Sequence, residues 1–474
     1  MTHLDPIARL DAVAQAALVA SGELRAVDLV DACARRLALL DPLIHAVTAR
    51  DLERARARAA QVSGPLAGVP FLIKDLVAYP GLRCSLGSRL FRDQVATAGS
   101  PFTARLDEAG LITVGKSATS ELGLLGSTET LLEGVTHNPW DLALSAAGSS
   151  GGAAAAVAAG LVPMAHASDG GGSIRIPASV CGLFGLKPSR GRCVATGDVS
   201  SPLAALVAEL CVSRSVRDSA LLLSLVEARG EGAALPPVGH VRGPDRRRLR
   251  IAVWSASLMG GEPEAEVRAA LEDAAALCAG LGHAVTWTAP PRVDGRAISD
   301  AFFAAAGATM AGLHDFMAGA LQRPLGAEDL EPFTRALIQA HRRRPADALA
   351  AVQATFAEAT ARYLAVFDAC DVVLTPTLAA RPWPLGHLSP VLDHDELLRR
   401  TERLVGYTPI HNIAGCPAMS VPLHFPERGA PLGAHFAARP GAEATLLGLA
   451  YELEAARPWR DRWPAWSFPA LFDG

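Results

Sequence analysis

Three short stretches carry residue types that could do chemistry together. "SDGGGSIRIP", residues 168–177, sets an acid and three glycines directly before Ser173. "GSSGG", residues 148–152, places Ser149 and Ser150 among glycines. "GVPFLIKD", residues 68–75, ends a short apolar run on Lys74. A serine hydroxyl needs a base to become a nucleophile. A lysine can be that base when its amine is neutral, and burial in apolar surroundings lowers its pKa toward that state. Lys74, at the end of Val69–Ile73, is placed for such burial. A second serine hydroxyl could relay the proton between groups that lie apart. Three glycines in a row are costly to order. Before a nucleophile they let successive N–H groups point into one concave site, as a nest for a tetrahedral oxyanion.

Other assignments of the same stretches fare worse. "GSSGG" fits G-x-S-x-G, which would make Ser150 the nucleophile of a strand–turn–helix elbow. No HGGG loop precedes it, and the late His435 has no distinctive context. A phosphate loop would need a lysine directly after its glycines, and here Ile174 and Arg175 follow Ser173. There is no H-E-x-x-H and no C-x-x-C, so no metal site is expected. Of 44 Lys+Arg residues only Lys74, Lys116 and Lys187 are lysine, and all three lie near the glycine clusters. Lysine can lose its proton when buried and arginine effectively cannot. Lys116 and Lys187 read as structural ion-pair partners, Glu121 as the balance of a nearby charge, and Cys181 and Cys416 as buried packing.

Elements must bring these stretches together. Residues 5 to 60 read as helices, the second stopping before Pro42. Val69–Ile73 reads as a buried strand carrying Lys74 at its carboxyl end. "FTARLDEAGLITVGK" reads as helix then strand, "GGAAAAVAAG" as a helix closed by Gly160, and "LVPMAHAS" as a strand leading into residues 168–177. Helices alternating with buried strands argue for an α/β sheet. "RLRIAVWSA" and "CDVVLTPT" read as further strands, "PAMSVPL" and "PLGAHFAA" as a final strand pair, and "EATLLGLAYELEAAR" as a last helix. The core is expected in 1–228 and 366–474, with a mainly helical insertion at about 255–365. "RRR" at 246–248 and at 342–344 reads as solvated faces.

The 474 residues are half hydrophobic and 19% charged, with a net charge of −4. A sizeable core is therefore available, and no basic face is implied for nucleic acid. Asp5 and Asp11 interrupt the apolar run a secretion signal would need. The weakly polar run 151–167 contains Pro163 and is too short to span a bilayer. Eight scattered cysteines are expected as free thiols in a reducing cytoplasm.

The motifs "GVPFLIKD", "NPWD" (138–141), "GSSGGAAAAVAAGLVP" (148–163) and "SDGGGSIRIPASVCGLFGLKPSRGR" (168–192) together resemble the amidase signature family. "DVVLTPT" and "NIAGCPAMSVPL" extend the resemblance over most of the chain, 1–474, as a single amidase domain. In appearance it is nearest the branch of cyclic nylon-oligomer (6-aminohexanoate dimer) hydrolases. The resemblance implies a large mixed β-sheet covered by helices on both faces. It implies Ser173 as nucleophile, Ser149 as relay after a cis peptide, and Lys74 as general base. It implies the N–H groups of Gly170, Gly171, Gly172 and Ser173 as the oxyanion hole, with Ser150, Asp169 and Arg175 in support. The expected reaction is hydrolysis of a small linear or cyclic carboxylic amide through an acyl-enzyme, with no cofactor. The same site could serve an esterase, an aryl acylamidase or the glutaminase-like subunit of an amidotransferase. A non-catalytic binding module is the rival of a different kind. A homodimer is allowed; neither nucleic acid nor membrane is expected. The chain departs from the family pattern at Ser168, where threonine is usual, and at Gly170, where a larger residue is common. Both imply room beside the oxyanion hole. Leu122, Leu124 and Leu125 fall in a segment bordering the family's pocket and imply an apolar acyl or leaving group.

Overall fold

The computed structural model describes residues 6–197 and 201–472; Asp5, at the head of the first expected helix, lies outside them. Eleven strands join one sheet. They are β1 (Val47–Arg50), β2 (Pro70–Lys74), β3 (Ile112–Ser117), β4 (Met164–Asp169), β5 (Phe184–Lys187) and β6 (Ala208–Ser213). The later chain adds β7 (Arg250–Val253), β8 (Ala284–Trp287), β9 (Val372–Pro376), β10 (Ala418–His424) and β11 (Leu432–Ala438). Their order is β1-β3-β2-β4-β6-β5-β10-β11-β9-β7-β8. β3, β2 and β4 run parallel, as do β9, β7 and β8; the pairings between β4 and β9 are antiparallel. The sheet is therefore mixed, as the α/β reading expected.

Every residue of β2, β3, β4, β5 and β11 is buried. Side chains alternate between the faces of a strand, so both faces of the sheet are covered. Near its middle lie α1 (Gly151–Ala158) and α2 (Arg175–Cys181), packed on each other; α1 rests on β4, and α2 on β5, β10 and β11. All eight residues of α1 are buried and all are Gly, Ala or Val. Small side chains let its backbone approach β4 closely, which explains the glycine- and alanine-rich sequence.

Three elements differ from expectation. Residues 5–60, read as helices, also contain β1, a short and partly exposed edge strand paired antiparallel with β3, whose sequence carries no buried-strand run. The second helix runs through Pro42, from Ala26 to Ile44. A proline in a last turn removes few intrahelical bonds. The helix then closes through His45 at φ 51°, and the Asp41 carboxylate accepts the N–H groups of Ala46 and Val47. Residues 255–365 are mainly helical, with long helices α3 (Gly295–Leu321), α4 (Pro332–Arg342) and α5 (Ala348–Leu364). They also contain β8, which pairs with β7 at the sheet edge. Its mostly exposed residues carry no buried-strand pattern in the sequence. Among the described residues no helix is long and apolar enough to cross a membrane.

Candidate active site

Lys74 ends β2 with its side chain fully buried. Its Nζ donates to Ser149 Oγ at 2.8 Å, to Ser168 Oγ at 2.9 Å and to the Ser168 carbonyl at 3.4 Å. Burial lowers its pKa to about 7, against the opposing pull of Glu209 and Asp169. The amine thus exchanges its proton near neutrality, as a base in this setting must. The Lys74 backbone N–H donates to His166 Nδ1 at 3.3 Å, and His166 Nε2 bonds Glu209 Oε2 at 2.9 Å. Those two bonds place the neutral imidazole proton on Nε2.

Ser149 follows a cis peptide with Gly148. A Cβ on Gly148 would come within 2.6 Å of the Ser127 backbone, so only glycine fits against that segment. Thr128 Oγ1 braces the turn, donating to the Ala147 carbonyl at 2.8 Å and accepting from the Gly151 N–H at 3.0 Å. Ser150 is not among the residues that border the cavity holding Ser149 and Ser173. Its buried hydroxyl donates to the Ser168 carbonyl at 3.2 Å and ties the start of α1 to β4. His435, which the elbow reading would need nearby, is buried between Arg175 and Thr375 instead.

β4 delivers the glycine turn. Asp169, its last residue, accepts from the N–H of Gly172 at 2.7 Å and of Ile174 at 3.2 Å. Arg175 binds the same carboxylate in two-pronged fashion at 2.8 Å through Nε and Nη2, and both side chains are fully buried. Burial alone would raise the Asp169 pKa; the charge and hydrogen bonds of Arg175, with Lys187 and Asn412, hold it well below the usual carboxylate range. Arg175 in turn donates to the Thr408 carbonyl, His435, His411 and Asn412 Oδ1.

This arrangement changes one expectation. The Gly172 N–H is turned onto Asp169 and away from an oxyanion. The N–H groups of Gly170, Gly171 and Ser173 have no acceptor among the described residues, and all three residues border the cavity. Ser173 is half-buried and its hydroxyl has no partner among the described residues. Ser149 borders the same cavity, without a hydrogen bond to Ser173.

The cavity measures about 710 Å³. Leu122, Leu124 and Leu125 line it, as do Ile298, Phe302 and Met310 of α3, with Leu122 and Leu124 packed against the cluster that holds Met310. The charged groups at its wall are already occupied. Arg190 donates to the carbonyls of Asn412 and Ile413, Glu209 accepts from Thr196 and meets His166, and Glu402 accepts from Arg296 and Ser299. Among the described residues no group of three or more His, Cys, Asp or Glu side chains is arranged to hold a metal ion.

The remaining lysines part company. Lys116 Nζ lies 3.4 Å from Asp75 Oδ1, the ion pair expected of it. Lys187 has no carboxylate within ion-pair distance among the described residues, because Arg175 takes Asp169 and Arg192 takes Glu443. It donates to the Pro188 carbonyl at 2.7 Å, and burial together with Arg175 lowers its pKa to about 7. Glu121 makes no close ion pair among the described residues, and feels the charge of Arg89 only weakly. It accepts from Ser88, Thr334 and the Glu331 N–H, and burial raises its pKa. Cys181 and Cys416 are buried and free; burial pushes both thiols up, Cys416 to about 12.

His166, Glu209, Thr408 and Asn412 are not assigned to the site from sequence, and Ser168, placed there beside the oxyanion hole, is not paired there with Lys74. A signal existed for two of them. His166 and Ser168 are alternate polar residues in the buried strand "MAHASD" and so share one face.

Comparison with known proteins shows the family. The sequence model of the amidase family matches residues 28–447. The chain is 37% identical over 462 residues to a putative amidase AmiC of Mycobacterium tuberculosis (strain ATCC 25618 / H37Rv), covering 96% of each chain. It is 33% identical over 481 residues to a 6-aminohexanoate-cyclic-dimer hydrolase of Pseudomonas sp. (strain NK87), again covering 96% of each. A solved 6-aminohexanoate cyclic dimer hydrolase with substrate superposes with a TM-score of 0.90 at 31% identity, over 97% of this chain and 99% of that one. A bacterial aryl acylamidase of the amidase signature family superposes with a TM-score of 0.87 at 26% identity, over 98% and 99%. The chain therefore belongs to the amidase signature family of hydrolases.

Proposed function

We propose that the chain hydrolyses a carboxylic amide through a serine acyl-enzyme, with Lys74, Ser149 and Ser173 as its triad. One observation carries the reading: a fully buried lysine, with its pKa brought to about 7, hydrogen-bonded to Ser149 at the edge of the cavity that Ser173 also borders. Neutral Lys74 draws a proton through Ser149 as Ser173 attacks the carbonyl carbon. The Ser149–Ser173 hydrogen bond forms with substrate in place; catalytic hydrogen bonds are often long before substrate binds. The carbonyl oxygen, now negative, is received by the N–H groups of Gly170, Gly171 and Ser173. The C–N bond breaks as Ser149 returns the proton to the leaving amine. Water then attacks the ester, giving its proton to the same relay, and the acid departs from Ser173.

The substrate we propose is largely apolar, because most of the cavity wall is apolar and its charged residues, Arg190, Glu209 and Glu402, already hold hydrogen-bond partners. A volume of about 710 Å³ suits a ligand larger than a simple primary amide. Cyclic or linear oligoamides and anilides are the first to test, given the names of the relatives. Purified protein should be assayed on amides, anilides and cyclic oligoamides, with Ser173→Ala as control. Turnover by the wild type and none by Ser173→Ala supports the reading; equal rates would sink it. An esterase side activity fits the same site. Obligate co-purification with partner subunits would favour the amidotransferase reading.

A further inference from the structure

We infer that Thr408, some 235 residues downstream of the glycine turn, is a positioning residue for the oxyanion donors. The peptide between Gly171 and Gly172 is held at both ends. Its carbonyl, on Gly171, accepts from Thr408 Oγ1 at 2.6 Å. Its N–H, on Gly172, donates to Asp169 Oδ1 at 2.7 Å. A peptide unit is planar, so two fixed ends fix its orientation. The neighbouring peptides, which carry the N–H groups of Gly171 and Ser173, are hinged directly to that plane at the Cα atoms of Gly171 and Gly172, so holding it limits how far either can turn.

Thr408 is itself immobile. It is fully buried, and its carbonyl accepts from Arg175 Nη1 at 3.0 Å. Four residues on, Asn412 Nδ2 donates to the Asp169 carbonyl at 2.7 Å and to its carboxylate at 3.0 Å. Residues 408–412 thus hold the turn both at the end of β4, through Asn412 and Asp169, and at Gly171, through Thr408. The fit is close: a Cβ on Gly172 would lie 2.4 Å from Thr408 Oγ1. The hydroxyl, together with Ile176 and the positive φ of Gly172, thus keeps position 172 a glycine. Losing the hydroxyl frees the peptide to rotate and leaves the Gly171 carbonyl without its donor. The turn then presents its N–H groups in several directions, and the developing oxyanion loses stabilisation that bound substrate does not need.

The inference rests on Ser173 being the nucleophile. Thr408→Val keeps the shape and removes the hydroxyl; Thr408→Ser keeps the hydroxyl and removes the methyl. With an amide the wild type turns over, Thr408→Val should lose roughly 10–100-fold in kcat, with KM within about twofold. Thr408→Ser should recover most of the loss. The carbonyl stretch of a stable acyl-enzyme should move to higher frequency in Thr408→Val, as expected of weaker polarisation. If Thr408→Val does not fold, the Ser variant and that stretch, measured on Thr408→Ala, decide the matter. Wild-type kcat and an unmoved stretch without the hydroxyl would overturn the inference, as would equal losses in Val and Ser variants. Fluorophosphonate labelling separates the two levels. No adduct on Ser173 in the wild type overturns the nucleophile itself; a normal adduct with an indifferent Thr408→Val overturns only this assignment.

Discussion

At Lys74 the surroundings choose the protonation state. With the pKa at about 7, kcat/KM should rise from pH 6 to pH 8 as the amine loses its proton, then level off. A flat profile over that interval would contradict Lys74 as the base. Lys74→Arg should abolish turnover, because a guanidinium stays charged. Lys187→Arg should change stability more than kcat, since Lys187, among the described residues, donates to the Pro188 carbonyl alone. The glycines of the turn divide in the same way. Gly172 sits at φ 138°, and a Cβ there meets both Thr408 and Ile176, so Gly172→Ala should cost about 2–5 kcal/mol. A Cβ on Gly170 would meet only Val207 Cγ2, at 3.4 Å. Gly170→Ala should fold normally, as thermal unfolding can check, and change which substrates fit.

At the scale of elements, the cavity wall is fastened to the helical insertion by two buried carboxyls. Glu121, beside Leu122 and Leu124, accepts the Glu331 N–H at the start of α4. Glu331 accepts the Leu131 N–H at 2.7 Å. Burial, then the charge of Glu121, pushes the Glu331 pKa up to about 8. Its folded value lies above its unfolded value, so the native state holds the extra proton. The pair's contribution to stability is therefore present at acid pH and lost as pH rises through about 8. Glu331→Gln should flatten that part of the stability–pH curve, measured by denaturant unfolding at pH 6 and pH 9. Much of the element pattern was legible: Lys74 closes a run of buried apolar residues, and the all-small "GGAAAAVA" can only be a helix packed closely. What stayed hidden was direction. Nothing in "GGGS" says that the Gly172 N–H turns back to Asp169, because that depends on Arg175 and on Thr408, far along the chain. Glu121 read as a charge partner, since sequence cannot show that its neighbours are hydroxyls and a second carboxyl.

At the scale of the whole molecule, the insertion supplies one side of the cavity. Ile298, Phe302, Ala306 and Met310 recur at helical spacing along α3 and face the cavity. In sequence such a stripe is indistinguishable from a core face. Phe302 reaches the reacting end: a Cβ on Gly171 would lie 3.0 Å from its ring. Phe302→Ala should shift the kcat/KM ratio of bulky to small substrates by roughly tenfold in favour of bulky ones. An unchanged ratio across an acyl and amine series would remove Phe302 from the specificity wall.

The buried base also has a consequence for folding itself. In the unfolded chain Lys74 carries its proton up to about pH 10.5; in the native chain it lets go near pH 7. Folding between those values must therefore expel a proton into solution. The same surroundings that ready the amine work against the fold, by on the order of 4 kcal/mol at neutral pH. Because the folded pKa is depressed, this penalty shrinks as pH rises toward 10.5. Lys74→Met should thus be an inactive protein that unfolds at higher denaturant than the active one, with the gap closing at alkaline pH. The lysine we propose as the base would then be measurable in a calorimeter, with no substrate present, as heat that depends on the buffer receiving its proton.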